Sequence, residues 1–152
     1  IKEIHAAPYK APTLMLKDRN ELIFISAQKR TELQEFSERN GITMASRRYN
    51  WDTITTPFLD SEFSAGARAG TLNKLQGRCG LSHEEAEALW KQVGAAMHDY
   101  NISSGLWDSH NLGLRDVLSA MRAELSAEEY AVFYWKAMQI ETMSPPKSTA
   151  DA

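Results

Sequence analysis

Asp60 and Glu62, with Asp52 nearby, are the carboxylates of this 152-residue chain whose spacing comes closest to a general acid–base pair. They flank a junction around Pro57, where one buried and one solvated carboxyl group would be held in different protonation states. A histidine brought close by folding, His98 or His110, would complete the site of a small hydrolase. The competing reading is structural: acids beside Pro57 and Ser64 serve helix N-termini by capping and by the helix dipole. The residue pattern favours the structural reading.

Other reactive types are sparse. His83 and Glu87 stand at i and i+4, a spacing that can grip one metal ion, but His83 falls in a solvated first helical turn and no His-Glu-x-x-His or cysteine pair accompanies it. No metal and no cofactor are therefore expected. Cys79 is the one cysteine, so an intramolecular disulfide is excluded and a buried, inert thiol is expected. Gly77-Arg78-Cys79-Gly80 reads as a helix-to-helix turn, and no Gly-x-Ser-x-Gly elbow exists. Gly66 to Lys74 fails the phosphate-loop spacing, because Lys does not follow the second glycine.

With 43% hydrophobic residues the chain can bury a core without staples. Its net charge of −3 is uneven. Residues 1–80 carry 12 Lys and Arg against 9 Asp and Glu, a net of +3, whereas residues 81–152 carry 5 against 11, a net of −6. The only basic doublets are Lys29-Arg30 and Arg47-Arg48, which is too little positive charge on one stretch for a nucleic-acid binder. An acidic C-terminal half suits a basic protein partner. No run approaches the roughly 20 apolar residues of a membrane span, and residues 1–9 lack the blocks of a signal peptide, so a soluble, cytoplasmic protein is expected.

The elements that must position these groups follow from period and punctuation. Residues 1–12, with Pro8 and Pro12, read as an extended surface segment. Thr13–Lys17 and Glu21–Ile25 flank Asp18-Arg19-Asn20 as a hairpin, and Ser26 caps a helix from Ala27 to Arg39 that stops at Asn40-Gly41. Ile42–Ala45 is a third strand. Asn50 is a cap for a helix carrying Trp51, Ile54, Phe58, Leu59 and Phe63, which Pro57 kinks or restarts. Ala65–Cys79 is a helix diluted by glycine. Leu81-Ser82-His83-Glu84-Glu85 and Leu125-Ser126-Ala127-Glu128-Glu129 are capping boxes with hydrophobic staples, and Ala86, Leu89, Trp90, Val93, Met97 and Tyr100 form the core stripe of the helix after the first. Asp108 or Ser109 caps a further helix with Leu114, Val117, Leu118 and Met121 inward.

The last helix, Ser126 to Met143, is apolar nearly all round. Either it is central in the bundle, or it packs through Tyr130, Phe133, Ala137 and Met138 and offers Val132, Trp135 and Gln139, with Glu128, to a partner or to a second copy. The tail 144–152, with Pro145-Pro146, is expected to be disordered.

The segment Trp51-Asp52-Thr53-Ile54-Thr55-Thr56-Pro57-Phe58-Leu59-Asp60-Ser61-Glu62-Phe63 resembles a Trp-x-x-Ile/Leu-x-x-Pro-Phe-Leu-Asp-Ser/Thr-Glu-Phe element of a family of small bacterial proteins, in which a β-rich start precedes several helices. The resemblance implies a bacterial α+β protein and carries no activity. The expected architecture is a single α+β domain over 13–143, in which a small antiparallel sheet of hairpin, helix and third strand packs on a bundle of four to five helices. The expected function is non-enzymatic binding of another protein, in the manner of an immunity protein or antitoxin that blocks a toxin. A small hydrolase using Asp60 and Glu62, or a structural homo-oligomer, is the alternative.

Overall fold

The computed structural model describes residues 1–59, 62–104 and 112–145. The chain divides into two compact units, Ile1–Arg48 and Tyr49 onward. The first holds a small sheet with one helix, and the second is helical, which gives the α+β class expected from the sequence.

In the first unit, strands β1 (Glu3–His5), β2 (Thr13–Met15) and β3 (Leu22–Phe24) precede helix α1 (Arg30–Asn40) and strand β4 (Thr43–Ala45). The hairpin of β2 and β3 turns through Asp18-Arg19-Asn20, with Asn20 left-handed at φ 47°, a conformation its short polar side chain tolerates. Helix α1 begins one 3-10 turn later than Ser26 alone would place it, and ends at Gly41, whose φ of 60° suits a residue without Cβ.

Two expectations are corrected here. Residues 3–5 do not run over the surface: β1 is an inner strand of a four-stranded sheet, in the order β3-β2-β1-β4, and Ile4 is fully buried. Nor is the sheet purely antiparallel. Strand β1 pairs antiparallel with β2 (Ile4 opposite Leu14) but parallel with β4 (Ile4 opposite Met44), so the sheet is mixed. A three-residue strand just ahead of Pro8 leaves too short an alternation to announce itself. Arg30 ties down the connection that follows, donating to the carbonyls of Ala6 (2.8 Å) and Lys10 (2.7 Å).

The second unit contains α2 (Asn50–Ile54), α3 (Ala65–Cys79), α4 (His83–Ser104), α5 (Leu114–Glu124) and α6 (Ala127–Thr142). Both capping boxes form as their spacing predicts. Ser82 Oγ accepts from Glu85 N (3.1 Å) while Glu85 accepts from Ser82 N (2.8 Å), and Ser126 and Glu129 repeat the exchange at 3.3 and 2.9 Å. Of the α4 stripe, Ala86, Leu89, Trp90, Val93 and Met97 are buried, whereas Tyr100 is only half-buried, its hydroxyl donating to Asp116 (3.1 Å). Pro57 restarts the chain as a single 3-10 turn, Thr56–Phe58, stitched in place by Trp90 donating to Ile54 O (2.7 Å) and Asn101 donating to Phe58 O (3.1 Å). Asp108 and Ser109 lie outside the described residues. Neither caps α5, which begins only at Leu114, directly after Gly113, whose amide donates to Asp116 (2.9 Å).

Asn50 does not cap its own helix, as the sequence suggested. Its side-chain amide donates to the carbonyls of Ile140 (2.8 Å), Glu141 (3.3 Å) and Met143 (3.2 Å), at the C-terminal end of α6. In return, the buried Glu141 carboxylate accepts from Trp51 N (2.9 Å) at the start of α2. Each helix end thus satisfies orphan backbone groups of the other. The Trp51 indole completes the junction, donating to Ala137 O (3.0 Å) and tilting against Phe133 with ring centroids 6.3 Å apart.

Candidate functional site

The orientation of α6 is set from within the second unit. Phe133, Ala137, Met138, Ile140 and Glu141 are buried, and Lys136 reaches Gln92 of α4 at 3.2 Å. The helix is therefore not buried all round. Glu128, Val132, Trp135 and Gln139, spaced i, i+4, i+7 and i+11, share one exposed stripe, on which Val132 is 74% and Trp135 44% exposed. Tyr134 holds Trp135 edge-on with ring centroids 5.2 Å apart, and Tyr130 lies 6.2 Å from Tyr134, so three aromatic rings run along one flank of the helix. A locked indole with one wet edge is well suited to anchor an interface at small entropic cost.

Beside the N-terminal turn of α6 an open groove of about 410 Å³ is lined by Arg122, Leu125, Ala127 and Tyr130. The sequence had placed Tyr130 inward; it is half-buried and lines this groove. A local signal did exist, since Leu125 and Tyr130 are the staple positions that flank the Ser126 cap. Glu129, hydrogen bonded by Ser126, and Glu85, hydrogen bonded by Ser82, are both held below the usual carboxylate range, so each cap keeps its negative charge at neutral pH.

The acid–base candidates are placed differently. Glu62 and His98 are exposed, and Asp60 and His110 lie outside the described residues. Glu87 is engaged by Arg68, at 2.7 and 3.2 Å, and Arg68 also makes a cation–π contact with Trp90. Among the described residues no three His, Cys, Asp or Glu side chains are placed to hold a metal ion. Cys79 is buried, its thiol donates to Leu75 O (3.2 Å), and burial pushes it above the usual thiol range, which makes it a poor nucleophile. No helix among the described residues is long and apolar enough to cross a membrane.

Compared with protein-family models, with curated proteins and with solved structures, the chain matches none of them.

Proposed function

We propose that this chain acts by binding another protein through the outer stripe of α6, and that the partner is basic. The observation that carries the reading is the pairing of an exposed, ring-supported Trp135 with Val132 on the stripe that ends in Glu128. Residues 81–152, which contain the stripe, have a net charge of −6, which would draw a basic surface in and speed encounter. The finer form of the proposal is an immunity-protein or antitoxin role in the bacterial cytoplasm, where binding alone is the whole activity and no catalytic group is required.

The test is to place a photo-crosslinking residue at position 135, and separately at Lys74 on α3, and identify what each captures from the native host. A basic protein captured at 135 and not at 74, whose capture weakens with Trp135→Ala and with Glu128→Lys while the thermal midpoint is kept, supports the proposal. Equal capture by both variants removes the stripe from consideration. A concentration-dependent dimer in light scattering that Trp135→Ala abolishes assigns the stripe to self-association instead.

A further inference from the structure

The most unusual buried group outside that stripe is His5, at the end of the inner strand β1 and 2% exposed. Both ring nitrogens are engaged: Nε2 lies 3.1 Å from a Glu3 carboxylate oxygen, and Nδ1 lies 3.2 Å from Oγ1 of the buried Thr13. Glu3 and His5 share a face of β1 by the two-residue period, and the register sets Thr13 directly opposite His5 on β2. We infer that this Glu3–His5–Thr13 cluster is an acid-sensitive latch: uptake of a proton by the imidazole releases β1 from its place between β2 and β4 and opens the N-terminal unit.

The chemistry of the three groups carries the argument. A carboxylate only accepts, so Nε2 carries the proton of the neutral ring and Nδ1 accepts from the Thr13 hydroxyl. Protonating the ring turns Nδ1 into a donor, so the Thr13 hydroxyl must swing round, and a full charge must be held where water is excluded. Burial accordingly holds the imidazole below the usual histidine range. The charged groups acting on the ring are Glu3, which opposes that shift, and Arg47 after β4 and Lys2 just before β1, which reinforce it. Glu3 is a diluted counter-ion, because it also lies 3.8 Å from the Lys2 ammonium and is itself part-exposed. On β2 the facing group is the uncharged Thr13.

The topology gives the protonation its consequence. Strand β1 alone joins the β2–β3 hairpin to β4, and all the strands are three residues long. Displacing His5 therefore parts the sheet. The sign is definite: a ring that prefers to be neutral in the closed form costs nothing above about pH 6.5, and destabilises that form progressively as pH falls below it.

The test uses the full chain. In wild type, the His5 imidazole resonance should titrate below about 6.5, the value of an unperturbed histidine. The amide protection factors of β1, β2 and β4 should fall about tenfold per pH unit between that value and the His5 midpoint, as opening is driven by proton uptake. His5→Gln, which cannot be protonated and keeps hydrogen-bonding capacity, should abolish the fall. A His5 resonance titrating at or above the unperturbed value overturns the inference, even where the variant does not fold. A His5→Gln chain that folds and still shows the full fall overturns it as well.

Discussion

The two units bury polar side chains by opposite means. In the sheet unit, His5 finds Glu3 two residues away on its own strand and Thr13 eight residues away on the adjoining one, so its partners are local and its vulnerability is the proton. In the helical unit, Asn50 and Glu141 stand 91 positions apart and exchange hydrogen bonds with the ends of each other's helices, so their vulnerability is the loss of either side chain. Charge differs too. Residues 1–48 carry 9 Lys and Arg against 6 Asp and Glu, a net of +3, and residues 49–152 carry 8 against 14, a net of −6. The contrast teaches that a short strand can satisfy a buried group locally, whereas the buried start of α2 and end of α6 recruit partners from elsewhere in the chain.

The comparison can be broken most directly at the α2–α6 junction. Trp51→Ala removes a fully buried ring that packs on Phe133 and caps Ala137 O, and should cost about 4 kcal/mol in urea denaturation followed by circular dichroism. Glu141→Ala leaves Trp51 N–H without that acceptor inside the unit and should cost about 2 to 3 kcal/mol. The comparison fails if Glu141→Ala proves no worse than loss of an ordinary cap. That reference is Ser126→Ala, which removes the acceptor for Glu129 N and should cost about 1 kcal/mol. Gly113→Ala is of the same order: its Cβ would fall 2.7 Å from an Asp52 carboxylate oxygen, which must move aside, at about 1 kcal/mol. Trp135→Ala, on the exposed stripe, should shift stability by less than about 0.5 kcal/mol while it weakens capture of the partner.

Acid sharpens the same contrast in order of events. The His5 contribution is intact above about pH 6.5 and is lost below it. Glu85 and Glu129, held low by their serine partners, contribute stability above the usual carboxylate range and lose it only as pH falls through that range. Amide exchange followed by NMR from pH 7.5 downward should therefore show the β1–β4 amides weakening before the first turns of α4 and α6. The reverse order would end the distinction between the units.

How legible these features were depends on the distance between partners. The hairpin, the Gly41 stop, the α3 boundaries and both capping boxes, which start α4 and α6, are three- or four-residue patterns whose hydrogen bonds close within the same pattern. The Glu128, Val132, Trp135 and Gln139 stripe was also readable from helical period. Its outward direction was not, because a helix apolar nearly all round offers two candidate inner faces. Strand β1 is too short to be legible in the sequence, and Asn50 resembles a local cap because nothing near it in sequence reveals the α6 carbonyls it serves.

By itself, then, the order of residues determined which stretches are helical, where α1 and α3 stop, where α4 and α6 begin, and which side chains share a face, since those depend on backbone period and on bonds spanning a single turn. Only the tertiary structure decided that β1 runs inside a mixed sheet, that Glu141 holds the first turn of α2, and that Trp135 faces outward while Phe133 faces in. Those outcomes rest on contacts between segments tens of residues apart, and a polar side chain carries no local mark of which distant backbone group will need it.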